Sequence, residues 1–201
     1  MRKYIIAFAI ILGTTSLYAQ ETGTLNFAGN FVYMPQYKMR GAGYMISYQS
    51  IIRGPFYLET GAGYSIASNT IHRDETINDV HFMDLNYHHA GYTFYLAPAI
   101  KIAAGSKLSL DVYAGPVFTY QSNVIDQYNY ELPASSEYID RADEVIYSND
   151  VIEGVFPGGI AGCRVNIKLS ENWTISGGMN AMGILKAVSS VNTSLGLAYC
   201  W

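Results

Sequence analysis

The four histidines are the first residues of this chain that could do chemistry: His72, His81, His88 and His89. Histidine is a general base near neutral pH and the commonest protein metal ligand. In an extended backbone, adjacent side chains point to opposite faces, so His88 and His89 cannot bind one ion from a regular strand. No Ser–His–acid spacing in the sequence defines a catalytic triad. We therefore predict solvated histidines, with no catalytic residue and no metal site.

The acidic residues form a second candidate site, concentrated between Gln121 and Gly154 with Arg141 as the one basic residue among them. Carboxylate oxygens suit Ca²⁺ and Mg²⁺, but the calcium-loop pattern D-x-D-x-D-G does not occur there. We predict a solvated acidic segment, and loosely held cations that bridge it to an anionic surface stay an open alternative. The glycines at 41–43 and 61–63 do not precede helices, so they are not phosphate-binding loops, and no cofactor is predicted. We expect these glycines to make room for large inward side chains.

The elements that must position these residues are strands, and the clearest is the final stretch, Ser190–Trp201. Its odd positions are mostly large and apolar, and its even positions are small or polar, so the two sets lie on opposite faces of a β-strand. A soluble sandwich would turn the apolar face inward. The small polar face instead suits the interior of a narrow barrel. We therefore predict that Leu195, Leu197 and Tyr199 point outward.

Seven earlier stretches alternate similarly, which predicts an all-β fold: an eight-stranded antiparallel up-and-down transmembrane β-barrel. With 18 tyrosines, 19 glycines and only 14% charged residues, the composition suits a lipid-facing barrel with aromatic girdles. The predicted strands cover residues 25–34, 41–52, 56–68, 92–102, 108–120, 158–169, 173–183 and 190–201.

The connections between these strands alternate in length. Asn69–His88 and Gln121–Gly154 are predicted to be long loops, whereas tight turns join the second, fourth and sixth strands to the next. Outer-membrane barrels have long outward loops and short periplasmic turns, so we expect both mature termini in the periplasm. Pro98 and Pro116 fall inside strands, where a missing N–H predicts local bulges.

The N-terminus has the pattern of a secretory signal peptide. Arg2 and Lys3 precede an apolar run that ends at Leu12, and small residues precede Gln20. The run is shorter than the roughly 20 residues of a spanning helix. We predict a signal peptide at 1–19 and a barrel domain at 20–201.

Net charge and cysteines restrict the function further. The net charge is −4 before the basic leader is removed, which argues against nucleic-acid binding. Cys163 and Cys200 fall on opposite faces of strands that should not be neighbours, so we predict two free thiols.

Five charged residues fall on the inward faces of the predicted strands: Glu59, Lys101, Asp111, Arg164 and Lys168. An enclosed charge must be paired, because unpaired burial is costly. Closing the fourth and fifth strands around Ser106 places Lys101 opposite Asp111. We predict a salt-bridge and hydrogen-bond network that fills the periplasmic half of the barrel, since eight strands enclose just enough space for side chains.

Together the leader, the eight strands, the alternating loop lengths and the final Ala198–Trp201 resemble the small eight-stranded bacterial outer-membrane β-barrel family (OmpX-like and OmpA-barrel-like). The resemblance covers essentially the whole mature chain. It implies a non-enzymatic structural, adhesive or surface-interaction role, with outer-membrane lipid, lipopolysaccharide and an extracellular molecule as partners. It also implies a C-terminal assembly signal at Tyr199 and Trp201, recognised by the barrel-assembly machinery and periplasmic chaperones.

Two other functions stay open from the sequence. Some small outer-membrane barrels are lipid A deacylases with a serine and a histidine on the outer surface, so His88 or His89 could serve a lipid-modifying hydrolase. A soluble lipocalin-like barrel that binds a small apolar ligand is the other alternative, and it requires the large apolar side chains to point inward.

Overall fold

The computed structural model describes residues 23–71, 76–77, 80–81, 84–130 and 145–201. The predicted signal peptide lies outside these residues, as do His72 and the acidic residues between 131 and 144. The described part contains no helix with the length and apolarity that a helical membrane span requires.

Eight strands close into one antiparallel barrel, which confirms the predicted architecture. The barrel strands are β1 Gly23–Met34, β2 Met39–Arg53, β3 Phe56–Ile71, β6 Leu85–Ala103, β7 Leu108–Tyr130, β8 Val145–Lys168, β9 Trp173–Ile184 and β10 Ser190–Cys200. Two short strands, β4 Thr76–Ile77 and β5 Val80–His81, lie between β3 and β6 in the chain. The order around the barrel is β1-β10-β9-β8-β7-β6-β3-β2, and β4 and β5 form a separate hairpin. A short 3₁₀ turn, Pro35–Tyr37, connects β1 to β2.

The two ends of the barrel differ. The turn end carries the tight β2–β3, β6–β7 and β8–β9 connections and the ends of β1 and β10 that lie nearest the termini. The hairpin end carries the remaining connections, including the tip of the β7–β8 hairpin. The long connections after β3 and β7 therefore lie at the same end of the barrel, as the alternating lengths of the predicted connections indicate.

Two segments that the sequence predicts as loops are largely strand. β7 and β8 pair without interruption out to Tyr130↔Val145, and β3 and β6 pair out to Ile71↔Leu85. Near the hairpin end the outward faces lose their regular apolar alternation, while the backbone ladder continues. The prediction of long loops starting at Asn69 and Gln121 was wrong because it relied on apolar alternation alone.

The two strand prolines do not cause bulges. Between β6 and β7, pairing stops at Tyr95 and resumes at Ala99 in unchanged register, so neither strand contains an inserted residue. Pro98 and Pro116 lack the N–H that a ladder needs, and the ladder opens locally instead. The strands still approach closely there, since a Cβ on Gly115 would overlap a backbone oxygen of β6.

The large apolar side chains of the last strand point outward, as predicted. Leu195 is 70% exposed, Leu197 43% and Tyr199 38%, whereas Ala198 on the other face is only 2% exposed. Other strands show the same division, with exposed residues that include Phe27, Phe31, Ile46, Phe56, Ile66, Tyr92, Phe118, Val165 and Ile167. Buried polar residues on the inward faces include Asn26, Ser47, Gln49, Thr93, Thr119, Asn166, Ser176, Asn180 and Asn192.

The interior also contains apolar side chains, in addition to the packed polar side chains that the sequence predicts. One buried cluster consists of Tyr57, Tyr95, Ala97, Ala99, Tyr113, Val117, Ile160, Met182 and Ile184. A second, at the hairpin end, consists of Val32, Met34, Met39, Ala67 and Val188. Cys163 and Cys200 are free thiols, as predicted.

Candidate functional site

A buried ion-pair cluster lies inside the barrel towards the turn end. Arg164 Nη2 is 2.6 Å from Glu59 Oε2 and 3.3 Å from Asp111 Oδ2. β8 places Arg164 directly opposite Asp111, while Glu59 comes from β3, with β6 and β7 between. Glu59 is 0% and Asp111 1% exposed. Charges removed from water to this extent are tolerated only when they are paired.

Uncharged side chains donate additional hydrogen bonds to the two carboxylates. Tyr95 donates its hydroxyl to Glu59 Oε1 at 2.6 Å, and Gln49 Nε2 donates to Glu59 at 2.9 Å and to Asp111 at 3.3 Å. Arg164 itself binds both oxygens of Glu59, the bidentate geometry that makes such pairs strong. The sequence prediction missed Gln49, although it lies opposite Glu59 in the β2–β3 register and its inward parity could have identified it.

Inward glycines make room for the tyrosines of this cluster. A Cβ on Gly61 would overlap the Tyr95 ring, and one on Gly162 would lie 2.7 Å from the Tyr113 ring. The Arg164 guanidinium carbon is 5.8 Å from the centre of the Tyr113 ring, within cation–π range. The glycines of β3 and β8 therefore position the aromatic walls around the ion pairs, as expected for Gly61.

The two lysines predicted to share this network lie apart from it. Lys101 is opposite Asp111 in the β6–β7 register, but both Lys101 and Lys168 are exposed. Within the described part of the chain, the ion pairs of the cluster involve Arg164 and neither lysine. Both lysines instead line an open cavity of about 270 Å³ at the turn end. The long lysine stem allows the ammonium to stay hydrated, which explains the difference from the single predicted network.

His89 lies in a second polar group, nearer the hairpin end. Its Nδ1 is 2.6 Å from Asn123 Oδ1, and its Nε2 is 3.2 Å from Ser65 Oγ. His89 is buried and His88 is exposed, which confirms that the two side chains point to opposite faces. The prediction of solvated histidines is wrong for His89. β6 begins at Leu85, inside the segment predicted to be a loop, so His89 lies within the strand and its side chain is buried.

A line of amide groups sets the direction of these hydrogen bonds. Gln121 Nε2 donates to the Val188 carbonyl at 3.1 Å, and the Val188 N–H donates to Gln121 Oε1 at 3.3 Å. Asn123 Nδ2 donates to the same Gln121 oxygen at 3.2 Å, so Asn123 Oδ1 is the acceptor for His89 Nδ1–H. His89 Nε2 then accepts from the Ser65 hydroxyl. The Gln121 side chain thus pairs with a loop peptide as a neighbouring strand would.

The order serine, histidine, amide resembles the nucleophile, base and orienting group of a hydrolase. Ser65, however, lies in the middle of a ladder and is paired with Gly43 on one side and Gly91 on the other. Backbone N–H groups in such a ladder are used between strands and are not free to stabilise an oxyanion. The arrangement therefore favours a structural tie between the 185–189 connection and the barrel wall.

Asp126 and Glu153, the acidic residues of the acidic segment whose side chains the structure describes, differ in their surroundings: Asp126 is buried and Glu153 is exposed. Asp126 is buried and accepts a hydrogen bond from the Asn86 N–H at 2.7 Å, so it does not belong to a solvated loop. Glu153 accepts a hydrogen bond from the hydroxyl of Tyr120. Among the described residues, no group of three or more His, Cys, Asp or Glu side chains could hold a metal ion.

Aromatic side chains form two groups on the exterior. At the turn end, Tyr48 stacks on Trp201 with ring centres 5.9 Å apart, and Trp173 packs edge-on against Tyr199 at 5.0 Å. The other group follows neighbouring strands in register and consists of Tyr44, Tyr64, Tyr92 and Tyr120. Such girdles mark the boundaries of the apolar band in membrane barrels.

The fold is similar to that of solved outer-membrane proteins. A major outer membrane protein from Thermus thermophilus aligns with a TM-score of 0.59 and 14% identity, covering 90% of this chain and 100% of that chain. The chain has the fold of the small eight-stranded outer-membrane β-barrels. The N-terminal β-barrel domain of Pseudomonas aeruginosa OprF aligns with a TM-score of 0.51 and 14% identity, covering 90% and 98%. No family model and no curated protein matches the sequence.

Proposed function

We propose that this protein is a non-enzymatic component of the bacterial outer membrane with a structural, adhesive or surface-interaction role. Its reversed polarity carries the proposal: Leu195, Leu197 and Tyr199 are exposed on a barrel that buries the Arg164–Glu59 ion pair. In water such an exterior would drive association. In a bilayer it is solvated by acyl chains, and the closed barrel has no unpaired strand edge.

The β7–β8 hairpin is the part of the barrel suited to meeting partners. Its strands continue beyond Gln121 and Gly154, and the segment around its tip carries seven of the sixteen acidic residues of the chain: Glu131, Glu137, Asp140, Asp143, Glu144, Asp150 and Glu153. The short turns at the other end support an orientation with the hairpin outside the cell and both termini in the periplasm. The acidic segment would then contact a basic extracellular partner or, through divalent cations, lipopolysaccharide.

The proposal includes a closed lumen. From the turn end to the hairpin end, the interior holds the Arg164 ion pairs, the tyrosine-containing apolar cluster, the His89 group and the Val188 cluster. An eight-stranded barrel is narrow enough for side chains to fill it. We therefore favour a plugged barrel over a conducting pore.

The last strand also fits the proposed assembly signal. Pairing of β10 with β1 closes the barrel, so β10 is an edge strand until that step. Tyr199 and Trp201 are exposed at its turn end, where the barrel-assembly machinery and periplasmic chaperones would reach them first. Their exposure supports this role for the two side chains.

Epitope tags test the location and the orientation together. A tag inserted between Asp140 and Arg141 should bind antibody on intact cells, and a matched tag between Gly105 and Ser106 should bind only after permeabilisation. Density fractionation should recover the protein with the outer membrane. Recovery in the aqueous periplasmic extract, or antibody binding to the Ser106 tag on intact cells, would contradict the proposal.

The Ser65–His89–Asn123 contact is the one observation that favours the hydrolase alternative. We expect the lipid A of cells that express the wild type to match that of cells expressing His89→Ala or His88→Ala, as measured by mass spectrometry. Lipid A that loses an acyl chain only in the presence of His89 would instead establish an enzyme.

A further inference from the structure

The cavity at the turn end has a lining suited to a ligand. Hydroxyl and amide side chains form much of its wall, and three lysines line it: Lys101, Lys107 and Lys168. The backbone N–H of Lys168 donates to the Lys107 carbonyl at 2.8 Å, so these two lysines occupy neighbouring strand ends. Like charges held close together are unfavourable unless an opposite charge lies between them.

A buried amide without a partner also lines this cavity. Asn26 is only 4% exposed, and its Nδ2 has no hydrogen-bond partner among the described residues. A buried donor left unpaired costs free energy comparable to a lost hydrogen bond. Asn26 contributes to the cavity lining together with Gln49 from the neighbouring strand β2, and an acceptor that reached Asn26 Nδ2 from the cavity would satisfy it.

Acidic residues also line the cavity, but they are fewer than the lysines. The lining contains Asp111 and Glu171. Asp111 Oδ2 accepts hydrogen bonds from Arg164 and Gln49, Asp111 Oδ1 is buried without a partner among the described residues, and Glu171 lies exposed in the β8–β9 turn. Three lysines and the Asn26 amide therefore line a cavity of about 270 Å³.

We propose that this cavity binds a small anion bearing a carboxylate or phosphate group, held by Lys101, Lys107 and Lys168 with Asn26 Nδ2–H as a neutral donor. Such groups accept several charge-assisted hydrogen bonds at once. In the orientation proposed above, the site opens to the periplasm. Binding itself does not depend on that orientation, so the two proposals can fail separately.

Titration of the isotope-labelled mature chain in a neutral detergent tests the site. Inorganic phosphate and acetate are added in separate series at constant ionic strength, and amide shifts are followed by NMR. Saturable shifts confined to the three lysines and the Asn26 side-chain amide are expected with one or both probes. The probe that binds more tightly then identifies the ligand chemistry.

Variants make this result decisive. The exposed pair Lys101→Gln and Lys168→Gln should together weaken binding about tenfold or more, and Asn26→Asp should abolish it by placing a negative charge at the donor. Lys186→Gln, at the hairpin end, is the matched control and should bind like the wild type. The lysine variants alter exposed side chains, so they test the site even where Asn26→Asp does not fold. Failure of both probes to saturate, or equal loss in Lys186→Gln, would overturn the proposal.

Discussion

Arg164 holds two carboxylates that the barrel has removed from water. It binds both oxygens of Glu59 and one oxygen of Asp111. The chain could have filled this space with apolar side chains, as it does nearby around Val117 and Ile160. Once the carboxylates are present, however, each depends on the guanidinium, so the cluster is sensitive to the loss of any one member.

Removal of the Arg164 guanidinium should therefore destabilise the barrel strongly. We expect Arg164→Leu to lower the free energy of unfolding by about 3–5 kcal/mol, because two buried carboxylates lose their counter-charge. Lys168→Leu, on the same strand but exposed, should change it by less than about 0.5 kcal/mol. Urea unfolding in lipid vesicles, followed by tryptophan fluorescence, measures both. A loss of unfolding free energy in Arg164→Leu as small as that in Lys168→Leu would show that the ion pairs are dispensable.

Gly61 should be sensitive to even one added carbon. Its Cβ would overlap the Tyr95 ring, so we expect Gly61→Ala to cost about 1–3 kcal/mol through overpacking. Gly29 is also in a strand, but nothing lies within 4 Å of its Cβ position. Gly29→Ala should be neutral or slightly stabilising. The same unfolding assay distinguishes them, and tolerance of both substitutions would contradict the assigned role of Gly61.

At the scale of elements, the 185–189 connection is held to the barrel wall by a side chain that acts as a strand partner. Gln121 bonds both polar groups of the Val188 peptide, while the Val188 side chain is buried with Met34 and Met39. The connection therefore covers the interior at the hairpin end. One residue of β7 therefore makes two of the hydrogen bonds that hold the connection.

Loss of the Gln121 amide should loosen this connection locally. In Gln121→Leu, the Val188 N–H and carbonyl lose their partner, and we expect amide exchange at Val188 to accelerate about tenfold. Ser122→Ala, the next residue and on the outward face, should leave that exchange rate unchanged. Hydrogen exchange followed by NMR reports both variants. Unchanged protection of Val188 in Gln121→Leu would mean that packing alone holds the connection.

The sequence predicts these elements well only where their outward faces meet an apolar surrounding. The ends of β9 and β10 are predicted to within a residue or two. For β10 the signal is clear because Leu195 and Leu197 alternate with small residues. The extension of β7 past Tyr120 was missed, since Asp126 was assigned to a solvated loop and is in fact inward and buried. Near the hairpin end, alternation no longer separates strand from loop.

At the scale of the whole molecule, the two surfaces of the barrel are inverted relative to a soluble protein. Strand parity decides which residues share a face, and the small, polar even positions of the last strand favoured that face as the interior of a narrow barrel. Contacts across the interior were not predictable to the same degree. Glu59 and Arg164 are separated by two strands, and register identifies neighbours such as Lys101 and Asp111 but not which side chain reaches across. Register places both Lys101 and Arg164 opposite Asp111, so register alone did not decide which of them joins the buried cluster.

Magnetisation transfer between lipid acyl chains and side-chain methyl groups tests the inverted polarity most directly. In the wild-type chain reconstituted in lipid nanodiscs, Leu195, Leu197 and Val191 should show nuclear Overhauser contacts to acyl-chain methylenes. Val117 and Val188, which are buried in the interior, should show none. Acyl-chain contacts at Val117 together with their absence at Leu195 would contradict a barrel that is apolar outside and charged within.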